Sequence, residues 1–127
     1  MCRNGIISVL LTLFVFYFLP GIAQQPSYQF SQLDITKGLS HNRITSIYKD
    51  HKGFMWFGTI AGLNRYDGYT FKTFTHNAAD TFSLADNYVL KIFELPGYKM
   101  FIQSRNSSSV YDLAKEKFTD AATWLRA

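Results

Sequence analysis

Residues 39 to 67 of this 127-residue chain recur at 84 to 112, at an offset of 45 positions. Leu39, Asn42, Ile44, Ile47, Tyr48, Met55, Trp56, Phe57, Thr59, Tyr66 and Asp67 fall on Leu84, Asn87, Val89, Ile92, Phe93, Met100, Phe101, Ile102, Ser104, Tyr111 and Asp112. Size and polarity are preserved at each step. Phe74 then falls opposite Phe118, one residue out of register. A period of about 40 to 50 residues marks stacked supersecondary units, each burying against the next a face it cannot bury alone. Helical pairs and four-stranded β-units are the two architectures with that period.

Turn residues decide between them. Asp50 to Gly53, Ala61-Gly62 and Asp67-Gly68 leave apolar and β-branched runs too short for helices, at Ile44 to Lys49, Phe54 to Thr59, Leu63 to Tyr66 and Thr70 to Thr75. Four strands per period is the count of a propeller blade. The run Met55-Trp56-Phe57 is apolar at consecutive positions, so its strand must be covered on both faces, as a blade between two neighbours is. Gly53 suits a hairpin turn and Asp67-Gly68 a tight one. Gly58, inside a strand, marks either a bulge or a close backbone approach. The expected fold is all-β: four-stranded antiparallel blades of a β-propeller, about two of them, at 40–84 and 85–127. Tyr28 to Leu33 aligns with an outer fourth strand lacking the three before it. A ring-closing outer strand is therefore expected over 27–36, its partner being a last blade outside this sequence.

The first residues form a separate segment. A basic start at Arg3, an apolar run from Ile6 to Leu19, a Pro20-Gly21 break and small residues at Gly21 and Ala23 make a secretory signal peptide over 1–23, cut between Ala23 and Gln24. The run is short of the ~20 residues needed to cross a bilayer. Cys2, the only cysteine, precedes the run, so neither a lipid anchor nor a disulfide scaffold is expected for the mature part, 24–127. Losing Arg3 leaves one fewer than the chain's 13 Lys and Arg against 9 Asp and Glu, a charge of about +3. Basic residues alternate with acids along the chain, which argues against a nucleic-acid footprint.

The stretches Gly38-Leu39-Ser40-His41-Asn42, Ile44-x-x-Ile47, Asp50-x-x-Gly53-Phe54-Met55-Trp56-Phe57-Gly58-Thr59 and Gly62-Leu63-Asn64-Arg65-Tyr66-Asp67-Gly68-Tyr69, with Phe71, resemble the two-component regulator propeller repeat over residues 30 to 74. Gly53, Trp56, Gly58, Thr59, Gly62, Leu63, Tyr66, Asp67 and Gly68 carry its structural motif. Such openings are similar to those of hybrid two-component sensors of polysaccharide-degrading bacteria. That resemblance implies two propellers, a β-sandwich, one membrane span and an internal histidine kinase, receiver and DNA-binding region. The second repeat is degenerate: Gln103-Ser104-Arg105-Asn106-Ser107-Ser108 stands where the motif has Gly-Thr-x-x-Gly-Leu.

The residues show no catalytic constellation, and no cofactor is expected. His41, His51 and His76 lack metal-ligand spacing. Asp50, Asp67 and Asp112 sit at turns, where a carboxylate bonds nearby amides. Trp56, conceivable as a sugar platform, is assigned to the core by its doubly covered strand. A ligand site, if present, falls where the loops Ile35 to Asn42, His76 to Asn87, Ile60 to Gly62 and Arg105 to Ser107 meet, with Asn42, Arg43, Asn87 and Arg105 as candidates.

The expected role is a piece of a periplasmic signal-input propeller for carbohydrate signals. Its partners would be the remaining blades of the same protein and an oligosaccharide. Contact with the membrane is expected only through a downstream span, and the full-length protein is expected to be a homodimer. An exported propeller lyase or hydrolase, or a truncated reading frame without function, are the alternatives.

Overall fold

Each repeat folds by local hairpins into one sheet. A computed structural model describes residues 26–127; the expected signal peptide and its Ala23–Gln24 cleavage site lie outside these residues. Residues 32–127 form one compact unit. It contains β1 (Ile44–Lys49), β2 (Met55–Thr59), β3 (Gly62–Tyr66) and β4 (Phe71–Phe74), then β5 (Val89–Leu95), β6 (Lys99–Ser104), β7 (Ser108–Asp112) and β8 (Lys117–Asp120). Two four-stranded antiparallel sheets result, ordered β1-β2-β3-β4 and β5-β6-β7-β8.

The core lies between the sheets. Trp56 and Leu63 of the first meet Val89, Ile92, Met100, Ile102, Tyr111 and Phe118 of the second. Trp56 stacks on Phe74 at 6.0 Å and meets Tyr111 edge-on at 5.5 Å. Full burial of each large side chain stabilises by about 1.5–3 kcal/mol. Phe57 points to the other face of β2 and packs against Phe71 at 5.8 Å, so the consecutive apolar residues divide between two environments.

Gly58 marks a close approach. A Cβ there would lie 2.6 Å from Cγ1 of Val89, the first residue of the second sheet. The bulge lies instead across the ladder in β1, between Ile44 and Ser46, and frees Thr45 to donate from its hydroxyl to the Val89 carbonyl at 2.6 Å.

Three expectations change. Residues 26–33 form no strand; Ile35–Lys37 is a 3-10 turn, with Asp34 accepting from the Thr36 amide and Gly38 closing it at φ 104°. The outer strand expected over 27–36 is thus absent among the described residues, because strand backbone needs a ladder partner and both sheets are composed without it. The structural equivalent of Phe118 is Phe71, not Phe74: Tyr66 pairs with Phe71 and Tyr111 with Phe118. Six residues separate Tyr111 from Phe118 where four separate Tyr66 from Phe71, which shifts the register; Phe74 instead packs on Phe118 across the core at 5.4 Å. Finally, β8 runs into a short helix, α1 (Ala121–Arg126), whose first amides, at Ala122 and Thr123, bond Asp120.

Candidate functional site

The loops entering β1 and β5 are built alike. Asn42 Oδ1 accepts the Ile35 amide at 3.0 Å and Asn87 Oδ1 accepts the His76 amide at 2.6 Å. One residue earlier, His41 Nδ1 accepts from the Arg43 amide at 2.8 Å and Asp86 Oδ1 from the Tyr88 amide at 2.9 Å. The Ser40 amide donates to Asn64 and the Ala85 amide to Ser109, again repeat-equivalent. Asn42 and Asn87 therefore tie each incoming loop to its strand, and their carbonyl oxygens already hold a backbone amide.

Arg43 and Arg105 differ from them. Arg43 is exposed. The Arg105 guanidinium lies 3.7 Å from the centre of the Tyr88 ring, and its amide donates to the Tyr88 carbonyl at 2.9 Å. Beside this pair, Asp86 Oδ2 accepts from both the amide and the side-chain nitrogen of Asn106, each at 3.0 Å. Partial burial opposes ionisation of Asp86, but these bonds, the Tyr88 amide and the Arg105 charge outweigh it and hold the carboxyl below its ordinary value. Asp86, Tyr88, Arg105 and Asn106 thus form one polar, charged cluster where two loops of the second sheet meet. The sequence reading named only Arg105 of these. Asp86 was findable as the repeat partner of His41, two residues before an amide it can accept.

The motif residues serve the scaffold. Thr59 Oγ1 meets Ser40 Oγ at 2.7 Å, donates to the Gly62 carbonyl and accepts the Ala61 amide, closing the β2–β3 turn. Gly62 has φ 141°, and a Cβ there would lie 2.8 Å from the Phe74 carbonyl oxygen, so a side chain is doubly excluded. Leu63 is fully buried. Tyr66 donates to the Gly68 carbonyl at 2.8 Å, and Asp67 accepts the Tyr69 and Thr70 amides. Those amides, Thr70's foremost, hold the Asp67 carboxyl below its ordinary value. Gly53 closes the β1–β2 turn with its amide on the Asp50 carbonyl. Trp56 belongs to the core.

Charged contacts between the sheets were not foreseen. Glu116 accepts from Lys72 Nζ at 2.7 Å and Arg65 Nη2 at 3.1 Å. His51 Nδ1 pairs with the Glu94 carboxylate. Both link residues more than 40 positions apart, for which neither spacing nor composition carries a signal.

Residues 38–61 match the two component regulator propeller family. Histidine kinase P4 of Formosa agariphila is 37% identical over 84 residues, 65% of this chain. The chain spans only 6% of that relative's length. The extracellular domain of the hybrid two component system BT3049 from B. thetaiotaomicron superposes with a TM-score of 0.65 at 30% identity, over 74% of this chain and 13% of that one. The extracellular domain of the hybrid two component system BT4673 from the same organism gives 0.55 at 28% identity, over 72% of this chain and 13% of that one. Residues 38–61 therefore carry the two-component regulator propeller repeat, within two propeller-like sheets similar to part of the extracellular domain of hybrid two-component sensors.

Proposed function

We propose that this chain is part of the exported, periplasmic signal-input propeller of a hybrid two-component sensor, and that its signal is a carbohydrate. The observation that carries the reading is the 30% identity to a sensor's extracellular domain, at a TM-score of 0.65, over 74% of this chain. The segment contributes recognition and no chemistry; phosphoryl transfer belongs to a kinase region elsewhere in such a protein. The remaining blades complete the propeller, and the full-length protein acts as a homodimer anchored by a downstream membrane span. The loop face bearing Arg43 and the Asp86–Tyr88–Arg105–Asn106 cluster supplies the ligand contacts: Arg105 and Asp86 offer a charged donor and acceptor side by side, the pairing that fixes sugar hydroxyls.

Isothermal titration against oligosaccharides from plant and algal polysaccharides tests this. At least one oligosaccharide class should bind, and Arg105→Ala should weaken it tenfold or more while the melting temperature holds. Absence of any carbohydrate binding overturns the reading.

A further inference from the structure

We infer that the sugar met at the loop face is an acidic one, its carboxylate or sulfate held on the guanidinium edge of Arg105; the inference rests on the carbohydrate reading above and narrows its ligand class. The residues concerned lie in the loop entering β5 and in the β6–β7 turn, at strand ends and not on a sheet face that a neighbouring blade covers.

Arg105 is supported at its face and open at its edge. Its Cζ lies 3.7 Å from the centre of the Tyr88 ring, and its amide is fixed to the Tyr88 carbonyl at 2.9 Å. The residue is exposed, and among the described residues its side-chain nitrogens meet no acceptor. Asp86 beside it is committed elsewhere: Oδ2 takes two donors of Asn106 and Oδ1 the Tyr88 amide. Three donors thus answer the Asp86 charge, and Oδ1, with a single bond, keeps room for a ring hydroxyl.

Arg65 shows what completes such an arrangement. Its Cζ lies 4.9 Å from the centre of the Phe54 ring, and its Nη2 donates to the Glu116 carboxylate at 3.1 Å. Aromatic support and carboxylate both come from within the chain. Arg105 has the support without the carboxylate. A guanidinium laid on a ring loses little freedom on binding, and its parallel N–H donors match the oxygens of an oxyanion in pairs. A neutral sugar calls instead for a bare aromatic face. Tyr88 is half-buried, with one face under the guanidinium.

The two repeats part at this turn. Ile60, Ala61, His41 and Arg43 of the first stand where the second has Arg105, Asn106, Asp86 and Tyr88. In the first repeat the turn closes on itself through the Thr59 hydroxyl, which meets Ser40, Gly62 and Ala61. In the second, Ser104 Oγ and Ser107 Oγ are buried without a hydrogen-bond partner among the described residues. The turn that gains Arg105 forgoes the closure that stabilises its counterpart, as local rules are broken where a site is built.

The test titrates the full chain with glucuronate oligosaccharides, sulfated galactose oligosaccharides, neutral glucose oligosaccharides of equal length and inorganic sulfate. At least one acidic series should bind at least tenfold more tightly than the neutral series and than sulfate, and which one does so tells carboxylate from sulfate ester. Arg105→Ala should abolish that preference, and Arg105→Lys, which keeps the charge without the fork, should lose most of it, with the thermal melt unchanged. Tyr88→Leu should weaken acidic-sugar binding that Tyr88→Phe retains. Neutral sugars binding as tightly as acidic ones, or a preference kept in Arg105→Ala, would overturn the inference and leave the carbohydrate reading standing. Inorganic sulfate binding as tightly as the acidic sugars would overturn it too, and no carbohydrate binding at all would overturn both.

Discussion

The indole N–H of Trp56 donates to Oδ2 of Asp50 at 2.8 Å, inside a turn where the other carboxylate oxygen accepts the Lys52 and Phe54 amides. Asp50 is buried at 3% exposure and Trp56 at 0%. One carboxylate thereby closes the β1–β2 turn and satisfies the polar edge of the largest core side chain. In the second repeat both partners are replaced together, by Leu95 and Phe101, so neither a buried indole donor nor a buried carboxylate is left there without the other.

Asp50→Ala leaves the indole donor and two amides without their acceptor and should destabilise the fold by roughly 2–3 kcal/mol. The double change D50L/W56F, which copies the second repeat, should cost less than the sum of the single changes. Urea denaturation of the four chains in a double-mutant cycle checks this.

Gly58→Ala forces a methyl against Val89, 2.6 Å from its Cγ1, and should cost about 1–3 kcal/mol by overpacking. Val89→Ala in the same chain should recover part of that loss, because it removes the obstructing methyl groups. Thermal melts of the single and double variants decide; additivity would show that the contact is not the cause.

Glu116 ties the sheets through Lys72 and Arg65, and the hydrogen bond from Lys72, then that from Arg65, lowers its carboxyl below the ordinary 4.5. A depressed folded value means stability that is present above pH 4.5 and lost as pH falls through the lower folded value. The side chain is 45% exposed, so Glu116→Gln should cost well under about 1 kcal/mol. That small loss should shrink further in 0.5 M salt and vanish at low pH, as followed by denaturation at several pH values.

Tyr111 is fully buried, and its hydroxyl finds no hydrogen-bond partner among the described residues. Burial, then the Glu116 charge, pushes its phenol up to about 12. A raised folded value means stability present below the ordinary 10.0 and lost as pH rises through the folded one. In ultraviolet titration of the chain's eight tyrosines, one should ionise late, and Tyr111→Phe should abolish that late step. The same variant should leave neutral-pH stability unchanged or raised by up to about 1 kcal/mol, since it removes an unpaired polar atom.

The strands and their turns were legible because their causes are local. Short apolar and β-branched runs, Asp67-Gly68 and the Asp50 to Gly53 turn act over a few residues, and the hairpins follow within a residue or two at each end. The Asn42 and Asn87 loop ends were also visible, but as candidate ligand contacts. The structure spends their oxygens on the amides of Ile35 and His76, seven and eleven positions upstream. That pairing depends on loop path, which composition does not specify.

By itself the sequence determined the four-strand period, the doubly covered β2 and the core membership of Trp56, because side-chain period and turn chemistry act along the chain. Only the tertiary structure decided that Val89 fills the space over Gly58, that Phe118 answers Phe71, that Glu116 reaches Arg65 and Lys72, and that Arg105 lies on Tyr88 beside Asp86. Each of those joins residues separated by a turn of variable length or by a whole repeat, and their meeting is set by how one sheet packs on the next.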